Sequence, residues 1–88
     1  MYAFRWIEWN EEKVARHGVA PEEVEYVVNH ARRPFPEEHG EKLFAAGPTA
    51  AGRWIQVVFI LDDDETAFVL HARPLNESER LRYRKRMR

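Results

Sequence analysis

The chain has 88 residues, 44% of them hydrophobic and 33% charged, with a formal net charge of −1 and no cysteine. That length accommodates one hydrophobic core, and the missing thiols exclude a disulfide scaffold, a cysteine nucleophile and every Cys-ligated zinc or iron–sulfur site. The near-neutral total conceals a segregation: Arg80, Arg82, Arg84, Lys85, Arg86 and Arg88 crowd the C-terminus, while residues 1–79 hold 8 basic against 15 acidic side chains, or −7, which points to an anionic partner at the basic end.

Residues 2–9 are rich in aromatics, with Phe4 and Trp6 on one parity and Ile7 and Trp9 on the other. This predicts a strand covered on both faces. Asn10 is read as the N-cap of a short helix through His17, and Gly18 supplies the left-handed residue that ends it. Pro21 suits the first turn of a second helix, Glu22 and Glu23 favour its positive end, and Val24, Val27 and Val28 form its apolar stripe. That helix is expected to end near His30.

Residues 31–40 contain Pro34, Pro36 and several charges, and read as a surface loop. Residues 41–46, 53–61 and 66–72 read as three strands. Gly47-Pro48 and Gly52 mark the first turn and the acidic run 62–65 the second, so an antiparallel meander is expected. The middle strand carries Ile55, Val57 and Phe59 on one parity and Trp54, Val58 and Ile60 on the other, which predicts a central position. Asn76 followed by Glu79 starts a terminal basic helix with a capping-box pattern, in which Leu81, Tyr83 and Met87 are the candidates for core contact. Neither a repeat nor a linker appears. The expectation is a single α+β domain over residues 1–88.

The apolar run 55–61 is far short of the roughly 20 residues a membrane-spanning helix needs. Arg5, Glu8 and Glu11 interrupt any candidate signal peptide, so a cytoplasmic protein without membrane contact is expected. The histidines His17, His30 and His39 are scattered with no H-x-x-x-H pair. His39 among Glu37, Glu38 and Glu41 is a charged loop before it is a metal site, and no phosphate-cradling glycine motif is present. No metal or cofactor is called for.

Two segments carry a family resemblance. Trp9-Asn10-Glu11-Glu12-Lys13, followed by Arg16-His17-Gly18-Val19-Ala20-Pro21-Glu22-Glu23, resembles the opening W-D-x-x-K … K-H-G-V-[ST]-x-E-E of the BrnT family of toxins. His71-Ala72-Arg73, Glu79-Arg80 and Tyr83 are similar to that family's closing A-R … E-R-x-x-Y. Between them, the stretch from Gly47 to Gly52-Arg53-Trp54 matches its G-x-[ST]-x-x-G-R region. Ala20 stands where the family has a capping Ser or Thr, His71 where many members have Ser, and Lys42 near a common Arg. The resemblance implies a RelE-like fold, metal-independent RNA cleavage and neutralisation by a ribbon-helix-helix antitoxin.

Metal-free RNA cleavage needs a base for the ribose 2′-hydroxyl, cations for the phosphorane and an acid for the leaving 5′-oxygen. Arg73 lies just past the last expected strand, two residues after His71, so the two side chains share a face at about 6–7 Å and one phosphate could touch both. The structural alternatives are a hydrogen-bonded sheet histidine and an Arg73–Glu79 ion pair that fastens the last helix. Arg53 reads as a second phosphate clamp or as solvation of a strand end, and Lys42 as a weaker RNA contact or a surface lysine. Glu79 and Tyr83 share a helix face. Glu79 is a general base or the capping-box acceptor, and Tyr83 a base-stacking or phosphate-donating phenol or a helix anchor. Arg80 and Arg84 stand for the basic run, which is an RNA footprint or a solvated helix end.

Three functions follow: an endoribonuclease toxin, a binding module without catalysis, and a nucleic-acid-binding regulator acting alone. The last has no recognition motif to support it. A homodimer and a toxin–antitoxin hetero-oligomer are both compatible with the sequence.

Overall fold

A computed structural model describes residues 1–87; Arg88, the last cation of the basic run, lies outside the described residues. The elements are β1 (Phe4–Arg5), α1 (Glu8–Ala15), α2 (Pro21–Asn29), β2 (Glu37–His39), β3 (Lys42–Pro48), β4 (Trp54–Leu61), β5 (Ala67–Pro74) and α3 (Glu77–Arg86). They form one five-stranded mixed sheet in the order β1-β5-β4-β3-β2 and three helices. The α+β architecture is as expected, and β4 is its middle strand.

The alternation along β4 sorts its side chains by face. Ile55, Val57 and Phe59 are wholly buried, whereas Trp54, Gln56, Val58 and Ile60 are partly exposed. The buried set joins Ala45, Val69 and Ala72 from the neighbouring strands and Val14, Val24, Val27 and Val28 from α1 and α2 in one cluster. Gly47 lies on this side, since a Cβ there would sit 3.9 Å from Val27. The partly exposed side of β4 meets α3, where the Gln56 amide donates to the Tyr83 hydroxyl at 3.3 Å.

Four expectations are corrected. The strand over residues 2–9 shrinks to Phe4–Arg5, which pairs parallel with Ala67 and Phe68 of β5 at the sheet's edge. Trp9 already belongs to α1, and Ile7 and Trp9 are 43% and 48% exposed rather than covered. Asn10 is not the N-cap. It is the third helical residue, wholly buried, and its side chain accepts from Ile7 N at 2.8 Å and donates to Arg5 O at 3.1 Å.

The loop over residues 31–40 contains β2, antiparallel to the start of β3, and this extra strand together with β1 turns the three-stranded meander into a mixed sheet. A hydrogen-bonded edge needs no apolar alternation, so the charged run Glu37-Glu38-His39 concealed it. Finally, β5 continues through Pro74. Arg73 is therefore a strand residue opposite Gln56, not one beyond the strand.

The helix ends follow local rules. Gly18 has φ +70 just past α1, as expected of a left-handed terminator. The α2 cap at Ala20 has no side-chain acceptor, and Glu23 Oε1 takes the Ala20 N–H at 3.0 Å instead. Asn76 and Glu79 form the capping box of α3 in both directions. Of the three predicted contacts of that helix, Tyr83 and Met87 pack on the core, while Leu81 is 45% exposed. Among the described residues no helix is long and apolar enough to cross a membrane.

β5 carries one irregularity. Its pairing with β4 shifts between Val58 and Phe59, so Val69 opposes Phe59, His71 opposes Val58, and Leu70 is the extra residue.

Candidate functional site

On the α3 side of the sheet, His71 and Arg73 project from β5, Gln56 from β4, and Glu79 and Tyr83 from α3. Arg73 is the hub. Its Nη1 donates to Glu79 Oε1 at 2.9 Å and to Pro74 O at 3.2 Å, and its Nη2 donates to Glu79 Oε2 at 2.6 Å. A guanidinium has five N–H donors. Nε–H and one Nη2–H, which lie along the same edge of the group, bond to no described residue. The side chain is 34% exposed, so that edge is reachable.

Glu79 is 16% exposed and fully committed. Besides the two guanidinium bonds, its Oε1 accepts from Asn76 N at 3.1 Å. The Arg73 bonds first, and then the Asn76 N–H, hold its carboxyl at about 2 instead of 4.5. A carboxylate that acidic is a poor proton acceptor near neutrality. Arg73 in turn is raised, chiefly by its hydrogen bonds to Glu79.

His71 brings in His17, a residue of the family-like segment Arg16-His17-Gly18 that was not among the expected site residues. The His17 ring lies edge-on to that of His71, centroids 5.0 Å apart, where the end of α1 meets β5. Burial first, and then the positive potential of His17, Arg73 and Lys13, lower the His71 pKa from 6.5. The imidazole is therefore mostly neutral near pH 7 and able to accept a proton. Only the packing of α1 on β5 makes this pair; 54 positions separate the two histidines in the chain.

Tyr83 bonds Gln56, meets Phe35 edge-on at 5.7 Å, and lies under the Arg82 and Arg86 guanidinium groups at 5.7 and 6.0 Å. With Arg86, Phe35 and Glu37 it lines a hollow of about 210 Å³ beside the Arg73 cluster. Arg86 pairs with Glu37 of β2 and so ties the far end of α3 to the sheet.

The remaining candidates are elsewhere. Arg53 Nη2 donates to Gly18 O and to Glu23 Oε1, both at 2.8 Å, and fastens the turn between α1 and α2. Lys42 begins β3 next to Leu43, which opposes Phe59. Arg73 opposes Gln56, so the two lie about 13 Å apart along the strands and roughly 10 Å across them. Arg80 Nη2 bonds Glu77 Oε1 at 2.6 Å along α3. Arg84 is exposed and lines a separate cleft. His39 pairs with Glu37 at 3.1 Å, and no group of three metal-ligating side chains occurs among the described residues.

Comparison with solved structures gives a match to the 1.1 Å crystal structure of the ribonuclease toxin BrnT of Brucella abortus. It covers 88% of this chain and 100% of that one, with a TM-score of 0.65 and 21% sequence identity. This chain has the BrnT fold. No family model matches the sequence, and no curated protein matches it. At 21% identity the likeness to BrnT establishes the architecture, and the chemistry rests on the side chains described above.

Proposed function

We propose that the chain is a toxin-type endoribonuclease that works without a metal ion. The observation that carries this reading is the free edge of Arg73, a two-donor fork held rigid by Glu79 and standing two residues from a neutral imidazole, on the fold of a ribonuclease toxin. A fork of that shape fits two oxygens of one phosphate.

In the proposed reaction His71 takes the proton of a ribose 2′-hydroxyl and the 2′-oxygen attacks phosphorus. Negative charge develops on the phosphoryl oxygens, where Arg73 stabilises it. The P–O5′ bond then breaks, leaving a 2′,3′-cyclic phosphate, and His17 returns a proton to the 5′-oxygen. Glu79 acts as a positioning residue for Arg73 and not as the base, because its own proton affinity is too low. Tyr83 supports the ribose or base next to the phosphate. Arg80 and Arg84 add electrostatic attraction for RNA, Lys42 adds more remotely, and Arg53 contributes by fixing the α1–α2 turn.

On this reading the chain is a single cytoplasmic domain with a RelE-like catalytic face, and a ribbon-helix-helix antitoxin covers the Arg73 face. The test is incubation of purified protein with RNA, with and without ribosomes. Wild-type protein is expected to cut. Arg73→Ala and His71→Ala should each lose at least about a hundredfold in rate, the scale of a lost general base or oxyanion donor. Cutting in neither setting, or equal cutting by Arg73→Ala, refutes the proposal.

A second reading, a binding module without catalysis, draws on the complete engagement of the Glu79 carboxylate by Arg73 and Asn76. Expression in a host separates the two. Growth arrest relieved by Arg73→Ala and His71→Ala excludes the module.

A further inference from the structure

A cleft of about 350 Å³ lies between the end of α2 and the end of α3, beyond the part of β3 that pairs with β2. Its walls include Tyr26, His30, Pro48, Trp54, Arg84 and Met87. Tyr26 and His30 are stacked, with ring centroids 4.0 Å apart, and so present a ready-made aromatic step. Among the described residues no carboxylate lines the cleft, although residues 1–79 carry a charge of −7 (8 basic, 15 acidic).

Two side chains here lack the partners that their counterparts have. The Trp6 indole donates to Glu25 at 2.8 Å, and Trp9 stacks on Phe68 with centroids 6.0 Å apart. Trp54 has neither a polar partner nor a ring partner among the described residues. On α3, Arg80 pairs with Glu77, Arg86 pairs with Glu37, and Arg82 lies over Tyr83. Arg84 has no partner among the described residues. An unstacked indole, an aromatic step and a guanidinium without a described partner, in a hollow that no described carboxylate lines, together suit a ligand that is planar at one end and anionic at the other.

Trp54 also has a fixed relation to the catalytic face. It is the diagonal neighbour of Arg73, whose direct partner on β4 is Gln56, so the two backbones are about 7–8 Å apart. We infer that this cleft seats one unpaired base of a single-stranded RNA whose neighbouring phosphate lies at Arg73. The inference rests on the ribonuclease reading and assigns its substrate: unpaired RNA, held by stacking on Trp54 and Tyr26 with Arg84 on the backbone.

The probe is a hexa-adenylate with 2′-O-methyl riboses, which binds but cannot undergo 2′-hydroxyl attack. Its affinity is measured at several salt concentrations for wild type, Tyr26→Ala, Trp54→Leu, Arg84→Ala and, as a charge-loss control, Arg5→Ala. Circular dichroism and melting establish that each variant is folded. Tyr26→Ala and Trp54→Leu are expected to bind roughly tenfold or more weakly with an unchanged salt slope, the mark of lost stacking. Arg84→Ala is expected to flatten the slope of log K against log salt by about 0.7. Arg5→Ala should match wild type.

Binding within twofold of wild type in both Tyr26→Ala and Trp54→Leu overturns the inference. So does loss of affinity for a protein partner in these variants with RNA affinity intact. Cutting of plain RNA that needs Arg73 but ignores the cleft removes the base seat and keeps the nuclease. Cleft-dependent binding without any cutting does the reverse.

Discussion

Arg73 and Glu79 show how one pair can fasten a helix and prepare a ligand site together. The carboxylate occupies the end of the guanidinium and leaves its side edge to solvent, so the contact that docks α3 also aims the remaining donors. The pair makes a signed prediction. Glu79 sits at about 2 in the folded protein against an ordinary 4.5, so between those values the folded state binds fewer protons than the unfolded one. The stabilisation is therefore complete above about pH 4.5 and drains away as pH falls towards 2. Melting of wild type and Glu79→Gln should show a gap that is constant from pH 5 to 7 and closes near pH 2. A gap of the same size at pH 2 and pH 7 would falsify this account of the pair.

At the scale of elements, the start of α1 hangs on one side chain. Asn10 holds Ile7 N and Arg5 O from a wholly buried position, bridging β1 and the first turn of the helix. Asn10→Ala leaves two part-buried backbone groups, Ile7 N–H and Arg5 C=O, without that partner, so a loss of about 1–3 kcal/mol is expected in urea unfolding. A change under 0.5 kcal/mol would mean that water replaces the amide.

The sequence misread this residue for a definable reason: an Asn can serve as the N-cap or reach back from the third position, and both patterns begin a helix. The extent and partner of β1 were illegible because it pairs with β5 across more than sixty positions, and β2 was missed because it carries charge instead of alternation. By contrast, the His71–Arg73 pairing followed from the period of a strand and the Glu79–Tyr83 pairing from that of a helix. His17 stayed hidden since no local period links it to His71.

For the molecule as a whole, a single cluster of mainly valine, alanine and phenylalanine side chains carries the stability. Phe59 is its largest wholly buried member and meets Tyr2 edge-on at 5.5 Å. Phe59→Ala should cost about 3–5 kcal/mol, a large share of what a domain this small has. The isolated variant is expected to show no cooperative melt above 37 °C, and a partner that binds only the folded form should restore one. A variant melting within a few degrees of wild type would place the core's weight elsewhere.

The slip at Leu70 decides which way the working end of β5 faces. In an unbroken strand Val69, His71 and Arg73 would share one side, and that side is the valine layer. One surplus residue resets the count, so Ala72 takes the inward position while imidazole and guanidinium turn out to water. Trimming Leu70 itself would leave the outward pair where it is, because only the unpaired position is lost. Adding a residue between His71 and Arg73 would drive a cation among the valines, and neither fold nor chemistry would survive it.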